Sequence, residues 1–153
     1  MIPTGQEDPG NNPKIQIGGC SLFSHWWNAE RVDGSLNFDT PETINAEYQK
    51  LLDNGIKDIR PDCFIEDGVA LFATYGINVR QVLDPVTGSA WISPNYVPKP
   101  GQLCIKCFHW DLKGYIHFCG WDPVAGELYD PIARGSNTVK NGYFHSWRIY
   151  ELV

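Results

Sequence analysis

From Cys20 onward the apolar positions Leu22, Phe23, Trp26 and Trp27 recur at helical spacing, so one face of this stretch is directed at a core. The pattern predicts a helix that opens at Cys20 and stops before Gly34. A second helix is announced by Asp39-Thr40-Pro41-Glu42, which offers a capping side chain, a proline in the first turn and an acid near the positive end of the dipole. Ile44, Tyr48, Leu51 and Leu52 form its apolar stripe, and Gly55 is a natural stop. A third, shorter helix is expected over 66–75, with Val69, Phe72 and Ala73 inward and Gly76 closing it.

After Gly76 the period drops to two, and Ile77, Val79 and Val82 predict a strand. Residues 85–101 hold Pro85, Gly88, Pro94, Pro98, Pro100 and Gly101 and read as a long loop, a kind of segment that is often functional when ordered. Strands follow over 103–110 and 115–121, joined at Lys113-Gly114, and over 127–130 after a turn at Asp122-Pro123 and Gly126. The stretch 134–144 reads as a polar connector, and a last strand covers 146–152. Ahead of the first helix, 14–17 reads as a short extended piece ended by Gly18-Gly19. Residues 1–13 read as a flexible arm, because Pro3, Pro9, Gly10 and Pro13 oppose regular structure. Helices first and antiparallel strands afterwards define an α+β class, with N-terminal helices packed on a C-terminal sheet in a single domain over 14–153.

A chain of 153 residues is one domain, and with 42% hydrophobic and 13% aromatic residues it can build a core without disulfides or a metal. The net charge of −6, with 12 scattered Lys and Arg, argues against nucleic-acid binding, which needs clustered cations on the phosphates. No apolar run is long enough to span a bilayer, so no membrane span is expected. The polar N-terminus lacks the basic start and apolar segment of a secretory signal. Synthesis in the cytoplasm is therefore expected, and virion association or release on lysis is compatible with it. The five cysteines are an odd number and read as free thiols in a reducing compartment.

Candidate chemistry begins at Cys20, which follows Gly18-Gly19 and opens a helix. The glycines allow close approach of a substrate, and the positive end of the helix dipole favours the nucleophilic thiolate. The backbone N–H of Cys20 has no intrahelical acceptor and can donate to an oxyanion. Against this stands the ordinary use of cysteine as a small buried hydrophobe. His117 lies in mid-strand on the face opposite Ile116 and Phe118. Alone, such a histidine is more often a hydrogen-bonded filler than a base. Asp130 stands at the end of the next strand, before Pro131, where it can hold an imidazole tautomer or simply start a turn.

In the order Cys, His, Asp these residues resemble the papain-like cysteine peptidases, in particular the bacteriocin-leader-processing (double-glycine) type and related bacterial and phage proteins. The resemblance rests on Gly19-Cys20 opening a helix, His117-Phe118 in an apolar strand leading to Gly120, and Tyr129-Asp130-Pro131 closing the next strand. It implies a papain-like fold and acyl transfer, with Cys20 as nucleophile, His117 as acid and base, and Asp130 orienting His117. The bond would be a peptide or amide, in a protein leader or a peptidoglycan cross-link, with no cofactor. The family places an oxyanion-hole glutamine six residues before the nucleophile, where this chain has Lys14; the nearby Gln16 is the candidate for that role. Trp91, inside the proline-rich loop, is the candidate to line a substrate groove. A rival reading keeps the fold as an inactive binding or virion-structural module.

A third reading is a metal-binding domain built on Cys104-x-x-Cys107-x-His109 with Cys119 beyond. In a strand, residues three apart face opposite sides, so Cys104 and Cys107 cannot share an ion; packed strand cysteines, and no metal, are the expectation. His109 is expected to cap a strand end, His145 to lie on the surface, and His25 to sit at the solvent edge. Cys63 is expected to be a packed thiol, with a redox partnership to Cys20 as the alternative.

Overall fold

The computed structural model describes residues 2, 5–56 and 65–153, and Cys63 lies outside them. Among the described residues, five helices and five strands follow in the order α1 (Pro13–Gly18), α2 (Cys20–Val32), α3 (Pro41–Asp53), α4 (Gly68–Thr74), β1 (Val79–Gln81), β2 (Leu103–Trp110), β3 (Tyr115–Asp122), β4 (Glu127–Tyr129), α5 (Asn137–Asn141) and β5 (Tyr143–Leu152). The strands form one antiparallel sheet in the order β1-β5-β2-β3-β4, which establishes the mixed α+β class. No helix among the described residues is long and apolar enough to cross a membrane.

The helix ends follow from local chemistry. Thr40 caps α3 in a reciprocal capping box with Thr43, and Pro41 occupies the first turn. At the other end Ile56 N–H donates to the Leu51 carbonyl and Gly55 N–H to that of Leu52, a geometry that needs the left-handed backbone of Gly55 (φ 80°). Gly76 closes α4 in the same way. Phe72 is inward as expected and Val69 packs partly buried against the core, but Leu71 rather than Ala73 completes the inward face of α4.

Sheet alternation separates two apolar layers. Leu103, Ile105 and Cys107 of β2, Phe118 of β3 and Tyr150 of β5 join the helices in the main core. Cys104, Trp147 and Ile149 face the other way, into a smaller cluster with Ile92. The loop 85–101 covers that second face. Ile92 forms an isolated bridge to Trp147, and Asp84 organises the turn by accepting from Val86 N–H at 2.8 Å and Ser93 N–H at 2.9 Å. This satisfies backbone groups that a long loop would otherwise leave open.

Three expectations are corrected. The 14–17 stretch is helical, because Asn12 caps it by accepting from Lys14 N–H at 2.9 Å and Pro13 takes the first helical position. The described part of the N-terminal arm is docked rather than flexible. Ile2 is buried, Gly5 bridges Ile132, Gln6 N–H donates to the Pro131 carbonyl at 3.1 Å, and the Asn11 amide donates to the carbonyls of Gly5 and Gln6. In the connector 134–144, Ser136 caps the short helix α5, and β5 begins earlier than the alternation of Trp147, Ile149 and Leu152 suggested.

Helix α2 is fastened to β3 at one close contact. Gly120 leaves room for the Trp27 ring, which stacks on Tyr129 at 5.3 Å with planes 7° apart; a β-carbon at residue 120 would collide with that ring. Arg31 lies over Trp27 at 4.5 Å and pairs with Asp122 at 2.9 Å. Gly120→Ala is therefore expected to destabilise the fold by about 1–3 kcal/mol through overpacking, read as a lowered urea midpoint. A wild-type midpoint would show that this contact does not set the helix-to-strand spacing.

Candidate functional site

The first turn of α2 and the central part of β3 bring Cys20 and His117 together. Strand β4 pairs with β3 only over Gly120, Trp121 and Asp122, which leaves the preceding stretch of β3 without a β4 partner. The His117 imidazole lies there with a donor atom within 4.8 Å of the Cys119 thiol, and it shares one cleft with Cys20. Its Nε2 is 2.8 Å from Asp130 Oδ1. The side chains of His117 and Asp130 are only 8% and 16% exposed, so little water competes for this bond. All three residues singled out in the sequence thus meet, with Cys20 itself 8% exposed.

Asp130 is fixed by its own surroundings. Oδ1 also accepts from Ile132 N–H at 2.9 Å, and Oδ2 accepts from Ser136 N–H at 2.8 Å. The Asp-Pro turn is what supplies these amides, so the turn and the carboxylate bonded to His117 are one feature. Burial would raise the Asp130 pKa, but the bonds from His117, Ser136 and Ile132 outweigh it and hold the carboxyl below its ordinary value. Burial pulls His117 downward, but its bonds to Asp130, Cys119 and Cys20 prevail and hold the imidazole well above its ordinary range. Burial pushes the Cys119 thiol up to about 11 against the opposing pull of His117, so this second sulfur stays protonated at neutral pH.

A cleft of about 420 Å³ opens over these groups, lined among others by Gln6, Cys20, Ser21, His117, Phe118 and Arg134. Gln16 also lines it, but its amide nitrogen donates to the carbonyls of Asn11 at 2.7 Å and Pro9 at 3.3 Å, which ties down the N-terminal arm. The less committed carboxamide in the cleft is that of Gln6. It is 3% exposed, and its one bond from Nε2, to the Gln16 carbonyl, is long at 3.4 Å. Its Oε1 is buried with no hydrogen-bond partner among the described residues. Gln6 escaped the sequence reading because the arm around it reads as unstructured, and only its bridge to the Asp130 loop brings it in.

Trp91 lies outside this cleft. It lines a neighbouring cavity of about 240 Å³, stacked on Phe118 at 6.1 Å and under the Arg148 guanidinium at 4.3 Å. His25 is fully buried rather than at the solvent edge, a correction that follows from helical spacing. Its Nδ1 meets the Ser21 carbonyl at 2.7 Å and its Nε2 meets Tyr150 Oη at 3.0 Å. Burial drives its pKa down to about 3, so it is a neutral core residue. Cys104 and Cys107 face opposite sides of the sheet.

This α+β scaffold with a Cys-His-Asp constellation at one helix mouth belongs to the family described as "Protein of unknown function, DUF261", whose profile matches residues 5–152. No curated protein and no solved structure matches the chain.

The charge states give a signed prediction. The folded-state pKa of His117 lies above its unfolded value, so its stabilisation is complete below pH 6.5 and is lost as pH rises through the folded pKa. Asp130 is the reverse: its stabilisation is complete above its unfolded value of 3.8 and is lost as pH falls through the depressed folded pKa. The pair therefore contributes across the window between these limits. Asp130→Asn should cost about 1.5–3 kcal/mol within it, since a hydrogen bond to a charged group is lost. In the same variant the His117 ring-proton NMR titration should move down toward the ordinary histidine range. An unshifted titration would show that Asp130 does not hold the imidazolium.

Proposed function

We propose that the chain is a papain-like cysteine hydrolase that cleaves a peptide or amide bond through a thioester. The single observation that carries this reading is that Cys20 and His117 line one cleft while Asp130 Oδ1 holds the imidazole Nε2 at 2.8 Å. A cysteine at a helix mouth beside an imidazole that a carboxylate orients is the arrangement of an activated nucleophile.

The Cys20 thiolate attacks the carbonyl carbon, and electrons move onto the carbonyl oxygen. The developing oxyanion meets the Cys20 backbone N–H, whose position opens the helix, and the carboxamide of Gln6. The two ends of a carboxamide are interchangeable by a flip, so Gln6 can turn its NH₂ into the cleft. His117 then gives its proton to the leaving amine as the tetrahedral adduct collapses to a thioester. In the second half, neutral His117 takes a proton from water, hydroxide adds to the thioester, and collapse releases the acid and restores the thiolate. Asp130 keeps the ring oriented throughout and stabilises its charged form. A cleft of about 420 Å³ suits an extended peptide segment, from a protein leader or a peptidoglycan cross-link.

The test is turnover of peptide pools and muropeptides. Cys20→Ala should abolish cleavage while far-UV circular dichroism stays unchanged, and His117→Ala should lower kcat/KM by about 10²–10⁴-fold. Gln6→Ala should lower kcat by about 10²–10³-fold if its carboxamide faces the oxyanion. Full cleavage by Cys20→Ala would remove Cys20 as the nucleophile, and no cleavage by wild type would leave the binding or virion-structural module in place of the hydrolase.

A further inference from the structure

On the helix-facing side of the sheet, beside the cleft, a second group of chemically active side chains converges. Cys107 and His109 are two apart on β2 and share a face. The third member, His145, comes from β5. Cys107 pairs with Ser146 but Phe108 pairs with Phe144, so His145 is the extra residue of a β-bulge. In regular register it would lie opposite Phe108 and point to the other face. The bulge instead sets its ring against that of His109, with centroids 3.7 Å apart and planes within 2°.

We propose that Cys107, His109 and His145 form a binding site for a zinc-like divalent cation, separate from the Cys20 centre. One donor atom from each lies within 4.8 Å of the other two. Neighbouring donors on tetrahedral zinc stand roughly 3.3–3.6 Å apart, given its bond lengths to nitrogen and sulfur. Rotation of exposed His145 and half-buried His109 covers the difference. Outer partners are in place as well: His145 Nδ1 is 2.9 Å from Ser146 Oγ, and His109 Nδ1 faces the Asp111 carboxylate at 3.9 Å. No hydrogen bond from a described residue reaches either Nε2. Two imidazoles and one thiolate select a borderline, thiophilic ion over magnesium or calcium.

The fourth coordination position opens into the cavity of about 240 Å³, lined also by Trp91, Ile116 and Phe118, so an exogenous ligand such as water completes the shell. On binding, the Cys107 S–H bond breaks, its electron pair goes to the metal and its proton goes to solvent; nothing is oxidised or reduced. The alternation argument against Cys104 and Cys107 sharing an ion is kept, because the partner is a residue that only the bulge delivers.

The test is titration of the full-length protein with Zn²⁺, and with Co²⁺ for its thiolate charge-transfer absorption, against Mg²⁺ and Ca²⁺ as controls. One Zn²⁺ per chain is expected in wild type and in Cys20→Ala. In Cys107→Ser and His145→Ala the affinity should fall by about a hundredfold or more, since loss of outer partners alone costs 10–100-fold. His145 is exposed, so His145→Ala decides the matter even if Cys107→Ser unfolds. Failure of wild type to bind Zn²⁺ stoichiometrically would overturn the proposal. So would binding that survives His145→Ala but is lost in Cys20→Ala, which would put the ion at the Cys20 centre.

Discussion

The His117 imidazole is gripped by a carboxylate on one edge and by thiols on the other, inside a region nearly closed to water. That grip joins three segments far apart in sequence: the start of α2, the middle of β3 and the turn after β4. A buried ring with a raised pKa has to be paired, because an unpaired charge there would cost several kcal/mol. Each of the three segments is therefore constrained by the same group. The Asp130 turn is locked by two backbone amides, β3 by its long pairing with β2, and α2 by Trp27 lying against Gly120.

The N-terminal arm extends the same arrangement. Its bridge from Gly5 to Ile132 starts next to the Asp130 turn, so whatever holds that turn also holds Gln6 over the cleft. Gln16, on α1, fastens the other end of the arm through Pro9 and Asn11. One wall of the cleft is thus a strap of chain with little core of its own. The opposite wall, Ile116 and Phe118, is shared with the cavity under Trp91, so the two sites are neighbours across a single strand.

Much of this was legible in the sequence. Helical spacing after Cys20, the Thr40-Pro41 start and the strand alternation around His117 are local signals, and the structure follows them. The meeting of Cys20, His117 and Asp130 followed from the order of elements and from a family resemblance. What was hidden depends on tertiary pairing. Gln6 reads as part of a polar tail until its backbone pairs with residue 131. His25 reads as exposed until Tyr150 arrives from the far end of the chain to cover it. His145 reads as an isolated surface residue, because a bulge is a property of two strands in register and leaves no mark in one of them.

The account rests on the His117 imidazole activating the Cys20 thiol, and alkylation of the native protein tests this most directly. Peptide mapping after iodoacetamide treatment at pH 6 should show Cys20 modified faster than any of the other four cysteines, with the rate falling sharply in His117→Ala. If Cys20 reacts no faster than Cys119, or at the same rate with and without the imidazole, the thiol is only a packed side chain and the hydrolase reading is contradicted.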